Sequence, residues 1–499
     1  MNLNCLPFLP PICRHLLTWF QCTPLADYFP FDACLECHLL IGVAILLFAT
    51  AHVAAAHNCD FHRFSYADED DIYALFGDNK FGEAVPENPA QRWLLLLKQP
   101  AGITGIVMVA CMLVAYPTVL VRRKKFNVFW TTHHLLLVML VALCCHGIGN
   151  LLEPFQSLYW VVGPLVVYVA SRVLRETPRC DAKVVQAQTK QGGIVRLKLT
   201  KPPQWKHVRS GMYSFLKCPA VSRIEWHPFT LTSTPDDDYV EFHFAPVGDW
   251  TESVRSYVER QLALAGDDAG DGGSKNAKNS SQNNIDIEEQ PRYGSSRLQP
   301  FGAGDGNEVH FKVDGPMGAS SQGFSDYEVV VLVGAGIGIT PMVSVVRYLL
   351  DHPGRMKKTY FYWTVRDYKA FEWFADMLDD IYEHDTRRRL NVYHFLTSVR
   401  FDDRDLGAVL LAHAANARHG RTDFDILIGR RTRHQIDVGR PNWAKELSRI
   451  KGEATDMGFG NCGIFLCGPN RMAKDINRTA VELSAKDPNF HFHFTKETF

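Results

Sequence analysis

The chain has 499 residues, 46% of them hydrophobic, which is enough for about three domains with substantial cores. Its 53 lysines and arginines balance 54 aspartates and glutamates, so its overall charge gives no reason to expect a nucleic-acid partner. The thirteen cysteines are scattered and odd in number, which excludes a small disulfide scaffold. Long charge-free runs lie before about Arg175 and charged runs lie after it, which predicts a membrane half joined to a soluble half.

Apolar runs in the first half predict five transmembrane helices. The strongest, Val128–Leu152, has no Asp, Glu, Lys or Arg and is long enough to cross a hydrocarbon core of about 30 Å. The others are a weaker run at Met1–Phe20, then Cys37–Asn58, Pro100–Val121 and Pro154–Ser171. Basic residues at 122–125, 172 and 175 place the soluble half in the cytosol by the positive-inside rule. Counting crossings back from this side puts Met1 outside, so a helix is expected to be missing upstream.

Histidines within the spans are candidate haem ligands. His38 and His52 lie 14 residues apart on the second span. His133 and His146 lie 13 residues apart on the fourth, so each pair is separated by about 20 Å along its helix. Because histidine in lipid is costly and usually functional, two matched pairs predict axial ligands for two haems. Polar contacts between helices are the alternative, and His134 competes with His133; an ideal helix also needs a local distortion or tilt to align the second pair.

The segment Cys34-Leu-Glu-Cys37-His38 competes for one of these histidines, because it matches the C-x-x-C-H pattern of covalently attached haem. Such attachment is normally completed outside the cytosol, whereas the predicted topology puts this segment on the cytosolic side. Non-covalent haem is therefore favoured. An iron with two histidine ligands has no open position, which predicts electron transfer at the haems instead of substrate binding.

The first part of the soluble half predicts a small antiparallel barrel with a candidate binding strand. Apolar and polar residues alternate from Cys180 to Lys201. The strand His227–Ser233 follows, and Pro228 would place it at an edge or a bend. Phe229 can lie against a flat ring, while neighbouring hydroxyls and the histidine offer donors to phosphate or ribose oxygens. A threonine-rich barrel strand without a ligand is the alternative.

The last part predicts a dinucleotide site. Tyr327–Val333 is typical of a buried strand, Gly334–Pro341 of a glycine-rich turn and Met342–Leu350 of a helix. Glycines let the backbone approach a pyrophosphate, and the helix N-terminus attracts its charge. Arg366 ends the next strand and suits the 2′-phosphate of NADPH, with a solvated arginine as the alternative. Ile464–Pro469 ends a third strand with small residues and a thiol near the expected nicotinamide.

Between these two parts, residues 265–300 are rich in Gly, Asp, Asn, Ser and Gln and have almost no large apolar side chain. This composition predicts a disordered insertion.

Together these residues resemble the NADPH oxidase family, and within it the catalytic heavy chain of the phagocyte-type flavocytochrome b, in the wider ferric reductase superfamily. The match covers nearly the whole chain. The matching segments are Phe129–His134, Glu225–Ser233, Gly248–Glu252, Asp314–Gly318, Gly334–Pro341, Phe371–Asp376, Gly439–Trp443 and the terminal Phe499. The separations of 14 and 13 residues are also that family's haem-histidine spacings, which favours His133 over His134.

The resemblance implies a multi-pass α-helical membrane haem domain at residues 1–178 and a cytosolic ferredoxin-reductase-like module. In that module, residues 179–318 would form an antiparallel β-barrel FAD domain containing the insertion, and residues 325–499 an α/β NADPH-binding domain. The implied cofactors are FAD, NADPH and two haem b groups. His38 with His133 would hold the inner haem, and His52 with His146 the outer one.

The resemblance also implies the remaining site residues. FAD would be held by His227, Pro228, Phe229, Thr230, Thr232 and Ser233, with Phe499 over the flavin ring. NADPH would be held by Gly334, Gly336, Gly338, Thr340, Pro341, Arg366, Arg440, Cys467, Gly468 and Pro469. Arg14 matches a family arginine near the outer haem and the oxygen site, with snorkelling to the membrane surface as the alternative. A family histidine four residues after the outer-haem ligand is replaced by Ala56, and His57 follows one position later.

The implied activity is that of a transmembrane NADPH oxidase in a plasma membrane or a phagosome-type membrane. Electrons from cytosolic NADPH would pass through FAD and two haems to oxygen on the opposite side, producing superoxide. A ferric-chelate reductase with the same relay and a non-enzymatic haem-membrane subunit are the alternatives. Expected partners are membrane lipid, a small membrane subunit and cytosolic activating subunits including a small GTPase.

Overall fold

The computed structural model divides the chain into two compact units, residues 1–176 and residues 177–499. The structure describes residues 13–21, 23, 25, 28–29, 34–76, 81, 84–122, 124–148, 156–176, 181–268, 310–398, 407, 411, 424–425, 430–432 and 436–497.

The first unit is a membrane domain. Among its described residues, four helical stretches are long and apolar enough to cross a bilayer: Glu36–Tyr66, Pro100–Val121, Phe126–Cys145 and Leu158–Arg175. Their outward faces carry large exposed apolar side chains such as Leu47, Leu113 and Val166, as lipid contact requires. The predicted multi-pass membrane architecture is therefore confirmed. Of the weak first span, only a helix at Arg14–Gln21 lies within the described residues, so this span stays a prediction.

The helices of this unit extend beyond or stop short of the apolar runs that predicted them. In chain order they are α1 (Arg14–Gln21), α2 (Cys34–Ala55), α3 (His62–Tyr66), α4 (Glu69–Phe76), α5 (Pro89–Lys98), α6 (Pro100–Val121), α7 (Phe126–His133), α8 (Leu135–Cys145) and α9 (Ser157–Arg175). A π-helical segment, Ala56–Phe61, joins α2 to α3 without a break. The differences arise because hydropathy marks only the lipid-facing part of a helix, whereas its backbone hydrogen bonds continue into polar residues.

Helices α3 to α5 form a small cap at the outer end of the membrane domain, opposite the basic link at 122–125. Its core contains Phe64, Ile72 and Leu95. The buried guanidinium of Arg92 donates to the carbonyl oxygens of Pro86 (2.5 Å) and Ala67 (2.6 Å), which fastens the cap's connecting segments to α5.

The first part of the second unit is an antiparallel barrel, as predicted. Its strands are β1 (Asp181–Lys190), β2 (Ile194–Thr200), β3 (Tyr213–Lys217), β4 (His227–Thr230), β5 (Tyr239–Phe244) and β6 (His310–Met317), in the order β4-β3-β6-β1-β2-β5. Strand β4, which contains Pro228, lies at one end of this order, where a proline costs no ladder hydrogen bond. An antiparallel bridge from Leu231 to Phe242 joins the two end strands and closes the sheet.

Helix α10 (Asp249–Asp268) follows the barrel strand β5. It includes residues 265–268, so residue 265 was wrong as the predicted start of the disordered insertion. The helix-favouring run Leu262–Ala265 carries α10 past that boundary. The rest of the predicted insertion, residues 269–300, lies outside the described residues.

The second part of this unit is a doubly wound parallel sheet. Its strands are β7 (Val329–Ala335), β8 (Lys358–Val365), β9 (Leu390–Leu396), β12 (Asp437–Val438), β13 (Asn461–Cys467) and β14 (His491–Glu497), in the order β12-β9-β8-β7-β13-β14, with every neighbouring pair parallel. A short hairpin, β10 (Phe424–Asp425) with β11 (Arg430–Arg431), lies outside this sheet. The helices are α11 (Thr340–Asp351), α12 (Ala375–His384), α13 (Trp443–Asp456) and α14 (Asn470–Ala485). The chain leaves β7 in one direction and returns to β13 on its other side, so the strand order reverses between these two strands.

Candidate functional site

The membrane domain brings two predicted histidines together at its cytosolic end. The ring of His38 on α2 faces that of His133 on α7, with centroids 6.4 Å apart. The neighbouring His134 is exposed, and its Nδ1 lies 2.7 Å from the carbonyl oxygen of Trp130 on its own helix. The geometry therefore pairs His133, and not His134, with His38.

A second pair lies at the outer end of the same helices. The ring centroids of His52 and His146 are 6.1 Å apart. Nδ1 of His146 lies 2.9 Å from Oγ1 of Thr104 on α6, and this hydroxyl donates its own proton to the carbonyl oxygen of Pro100 (2.6 Å). Nδ1 of His146 must then carry the donated hydrogen, which leaves Nε2 as the free lone pair for a metal.

Both pairs fit a haem iron. Two imidazoles that bind one metal ion from opposite sides, with metal–nitrogen bonds of about 2.0 Å, have ring centroids about 6 Å apart. The observed spacings match this value, and each pair is presented by the same two stretches of helix. In the described part of the chain, no group of three or more His, Cys, Asp or Glu could hold a metal ion, so the histidines are arranged in pairs and not as a cluster.

The helical stretch Phe126–Cys145, which leads to His146, shows the local distortion that the spacing of His133 and His146 requires. The α-helix is interrupted at His134, and the backbone N–H of Leu137 bonds to the carbonyl of His134 (3.0 Å), a tighter turn than an α-helix makes. This break lies between His133 and His146 and changes which face of the helix His146 occupies.

His57 lies within the π-helical segment, where backbone hydrogen bonds join residues five apart instead of four. The ring of His57 lies 5.1 Å from Phe61 and 5.2 Å from Trp93 of the outer cap. Arg14, the other residue predicted for the outer-haem region, lies on α1, and its side chain is outside the described residues.

The barrel presents an aromatic stack on strand β4. The ring of His227 stacks on Trp250 at 4.2 Å, and Phe229 lies 5.9 Å from the same indole. Nε2 of His227 lies 3.0 Å from a carboxylate oxygen of Glu225, while Pro228 is exposed. The buried indole N–H of Trp250 has no hydrogen-bond partner among the described residues. A half-buried aromatic face beside a buried unsatisfied donor fits a flavin ring, which offers both a flat surface and acceptors.

The polar residues after this stack face inward. Thr230, Thr232 and Ser233 are almost completely buried. The backbone N–H of Thr232 donates to the carbonyl oxygen of Glu241 (2.8 Å), and its hydroxyl lies 2.9 Å from Nδ1 of His243. Oγ of Ser233 accepts from the backbone N–H of Glu241 (3.2 Å). These side chains therefore shape the strand, and we expect any direct contact with FAD here to come from the backbone.

The glycine-rich turn lies where the order of the parallel strands reverses. Gly334 ends β7, the turn follows it, and α11 begins at Thr340 with Pro341 in its first turn. Gly336 has φ +56°, a left-handed conformation that side chains resist, and the space beside it is open. A side chain at Gly338 would put Cβ 2.8 Å from the carbonyl oxygen of Cys467. The turn thus packs closely on β13 and exposes its backbone at the switch point, as a dinucleotide site requires.

The other residues predicted for NADPH lie at the same edge of the sheet. Arg366 follows the carboxyl end of β8 and is exposed, and so is Arg440, which follows β12. Cys467 ends β13 and is followed by Gly468 and Pro469. Burial and the nearby Glu497 carboxylate raise the pKa of the Cys467 thiol to about 12, so the thiol is protonated at neutral pH. Phe499 lies outside the described residues.

A buried carboxylate connects the two parts of this module. Glu241 on β5 accepts from Nε of Arg196 on β2 (2.7 Å) and from Nη1 of Arg347 on α11 (3.3 Å). Burial alone would raise the pKa of Glu241, but nearby positive charges lower it to about 2. Burial also lowers the pKa of His243 to about 3. This ring is therefore neutral at pH 7, and the charges that keep Glu241 ionised are those of Arg196, Arg347 and Lys198.

Glu241→Gln is expected to destabilise the protein, because the half-buried guanidinium groups of Arg196 and Arg347 lose their buried carboxylate partner; breaking a buried pair costs about 3–5 kcal/mol. The folded pKa lies below the ordinary value of 4.5, so the carboxylate stabilises the fold above about pH 4.5 and this contribution is lost as pH falls toward about 2. Melting temperatures of both proteins across this range test the prediction. The difference between the two melting temperatures should be constant from about pH 8 to about pH 5 and should shrink at lower pH. A constant difference throughout would contradict it.

Two residues of these sites were missed from the sequence. Trp250 lies in the matched segment Gly248–Glu252, and that resemblance was the available signal. Thr104 carries a hydroxyl within an apolar span, and a metal-binding histidine usually donates its second N–H to a hydrogen-bond acceptor. A search for hydroxyls near the depth of His146 could have found it.

Three family models match consecutive parts of the chain. A ferric reductase like transmembrane component matches residues 11–144, an FAD-binding domain matches residues 179–321, and a ferric reductase NAD binding domain matches residues 327–481. The order of these domains agrees with the helical membrane unit, the barrel and the parallel sheet.

Curated relatives also match the chain from end to end. Respiratory burst oxidase homolog protein D of Arabidopsis thaliana is 31% identical over all of this chain and 54% of the relative, and homolog protein E of the same plant is 30% identical with the same coverage. The chain thus spans about half the length of these relatives. Among solved structures, a ferredoxin NADP+ reductase from Neisseria gonorrhoeae with bound FAD and NADP aligns with 63% of this chain and 97% of its own, at 12% identity and a TM-score of 0.37.

The motifs, the order of the three domains and the relatives therefore agree on one assignment. The predicted fold class, a helical membrane domain followed by an FAD-binding barrel and an α/β nucleotide-binding domain, is confirmed. At both ends the chain matches family models of ferric reductase type, and over its whole length it is similar to respiratory burst oxidase homologs.

Proposed function

We propose that this protein is a transmembrane NADPH oxidase that carries electrons from cytosolic NADPH to oxygen on the opposite side of the membrane and releases superoxide. The observation that carries the proposal is the presence of two histidine pairs, at opposite ends of the same two stretches of helix, with centroid spacings that fit one iron each. The balanced reaction takes one NADPH and two oxygen molecules to NADP+, one proton and two superoxide ions.

When bound, FAD would take a hydride from NADPH and release its electrons singly, and each haem would pass on one electron at a time. The chain's own residues bind and orient these groups. His38 with His133 and His52 with His146 would hold the haems, the β4 stack would hold the flavin, and the turn after β7 would hold the NADPH pyrophosphate. The thiol of Cys467 stays protonated and takes part in no acid–base or nucleophilic step of this proposal.

A ferric-chelate reductase with the same relay is the second candidate, because two of the matching family models are of ferric-reductase type. Vesicles containing the full chain, FAD and haem, with NADPH on one side, separate the two. An oxidase reduces an external probe in a reaction that superoxide dismutase suppresses. A ferric reductase reduces external Fe(III) chelate at a rate that the dismutase leaves unchanged.

The proposal also covers the membrane in which the protein lies and the partner subunits that activate it. We propose, from the resemblance alone, a plasma membrane or phagosome-type membrane, a small membrane subunit and cytosolic activating subunits including a small GTPase. If turnover in vesicles rises when cytosol is added, that would support the activation part of this proposal.

Thr104→Val is expected to weaken retention of the outer haem about 10–100-fold, because His146 loses the acceptor that fixes its ring. Titration of the full chain with hemin, followed by reduced-minus-oxidised spectra, measures this retention. Thr50→Val is the matched control, because Thr50 donates to the carbonyl oxygen of Leu46 and has no histidine partner among its recorded bonds. Equal retention in both variants would contradict the role of Thr104.

Arg366→Ala is expected to raise KM for NADPH about tenfold and to change KM for NADH much less, because a charge-assisted bond to the 2′-phosphate is lost. Arg355→Ala is the control. This exposed arginine precedes the amino end of β8 and pairs with Glu328, away from the nucleotide edge. If Arg366→Ala changes both constants equally, the arginine does not distinguish the two nucleotides.

A further inference from the structure

Two side chains of helix α11 hold the strand that carries the flavin-site residues. Oγ of Ser344 donates to the carbonyl oxygen of Ser233 (3.0 Å), and Nη1 of Arg347 donates to the carbonyl oxygen of Thr232 (3.0 Å). Ser344 and Arg347 are three residues apart and so lie on one face of the helix. Because α11 begins directly after the glycine-rich turn, these bonds fix the nucleotide-binding turn relative to the strand.

Glu241 holds this arrangement from the barrel side. Its carboxylate contacts Arg347 (3.3 Å), and its backbone binds Thr232 and Ser233. The same carboxylate accepts from Arg196 (2.7 Å), whose Nη1 lies 3.3 Å from Asp376 at the start of α12. One buried side chain therefore connects the end of the flavin strand to two helices of the nucleotide-binding domain.

The barrel by itself does not need a charge at this position. Apolar side chains of similar volume often replace buried ion pairs with no loss of stability. An ion pair also restricts the relative orientation of the two groups that it joins, because bonds between a guanidinium and a carboxylate are strong only in a narrow range of orientations. Hydride transfer also requires a precise geometry. The reacting atoms must be about 3–3.5 Å apart, and misplacement by about 1 Å can slow a reaction about 100-fold.

We propose that Glu241, acting through Arg347, is a positioning residue that sets the distance between the nicotinamide and the flavin. The side chain of Glu241 is buried, so it would act through Arg347 and not by touching a ligand. The step it controls moves one hydride, which is two electrons and one proton, from NADPH to FAD and leaves NADP+ and reduced flavin. This inference rests on the proposed function, because it assumes that NADPH reduces a flavin bound at β4.

The test measures flavin reduction by NADPH without oxygen, in the full chain loaded with FAD and haem. Rapid-mixing absorbance at several NADPH concentrations gives the limiting rate of hydride transfer and the apparent Kd for NADPH separately. The variants are Glu241→Gln and Arg347→Lys. The second keeps the positive charge, loses the planar fork and is the milder change, so it serves if Glu241→Gln folds poorly. Glu328→Gln is the matched control, because it breaks the exposed pair with Arg355 within one domain.

We expect the limiting rate to fall about 10–100-fold in both variants, while FAD content stays the same and the apparent Kd changes less than about threefold. The kinetic isotope effect with 4-deuterated NADPH should also increase or persist, as it does when hydride transfer limits the rate. The double variant should be no slower than the slower single variant, because both remove one shared interaction. Glu328→Gln should behave as the unchanged protein.

Unchanged limiting rates in variants that retain FAD would overturn the inference. Loss of FAD from both variants would also overturn it, because the contacts would then serve folding alone. If NADPH fails to reduce the flavin of the unchanged protein, the proposed function is wrong, and this result differs from either of the others.

Discussion

Replacing His133 by leucine is expected to remove the inner haem and to lower superoxide output by at least about 100-fold, since even the loss of a residue that supports a metal ligand costs about 10–100-fold. Flavin reduction by NADPH should continue, because the nucleotide and flavin sites belong to the other unit of the chain. Reduced-minus-oxidised spectra of the full chain and the dismutase-sensitive reduction of an external probe measure the two effects.

The adjacent histidine provides the control for this experiment. His134→Leu makes the same chemical change one residue away, at an exposed ring that bonds only to its own helix in the recorded contacts. Both haems and the superoxide output should survive it. The assignment of His133 would be wrong if His134→Leu removed haem while His133→Leu did not. His146→Leu should remove the outer haem in the same way, and normal output from that variant would count against the relay as a whole.

Gly338→Ala is expected to raise KM for NADPH on the order of 100-fold. The added Cβ would lie 2.8 Å from the carbonyl oxygen of Cys467 and 3.2 Å from its sulfur, so the turn must move away from β13. Two or more charge-assisted bonds from the backbone to the pyrophosphate would then be weakened, at about 1.5–3 kcal/mol each. Steady-state kinetics with NADPH, together with the FAD content of the purified protein, measure the effect.

The control for this substitution is Gly452→Ala. Gly452 lies on the exposed face of helix α13, and a Cβ there would have open space. Alanine favours a helix over glycine by about 1 kcal/mol, so this variant should keep its KM and melt at a slightly higher temperature. Loss of FAD from Gly338→Ala, with unchanged KM in the molecules that retain it, would contradict a role in nucleotide binding.

The sites differ in how far local sequence could predict them. The β7 strand, the glycine-rich turn and the α11 helix follow each other within 25 residues, so their chemistry and their geometry come from one continuous segment. The edge position of β4 also followed from one residue, Pro228, which cannot donate to a ladder. The role of Thr232 could not be predicted this way. Its hydroxyl would have suited a phosphate, but a strand nine residues later brings Glu241 and His243 against it.

In the membrane domain, too, contacts between distant segments could not be predicted from local sequence. Composition and length identified the apolar spans, because crossing lipid imposes a minimum length and excludes charge locally. The choice between His133 and His134 depends on how α7 is rotated toward α2, which the spacing alone left open. A break at His134 also changes the face on which His146 lies, and a π-helical segment contains His57; hydropathy contains no signal for either feature.

The order of residues alone predicted that this chain spans a membrane, that a barrel and a nucleotide-binding sheet follow, and that four histidines within the lipid are available as ligands. Those features depend on composition and on spacing within single elements. The folded chain then showed which histidines face each other, that the turn after β7 packs against Cys467, and that Glu241 connects the barrel to α11. Such contacts could not be predicted, because they are made by elements distant in the chain, whose relative rotation and register are set by the packing of the whole fold.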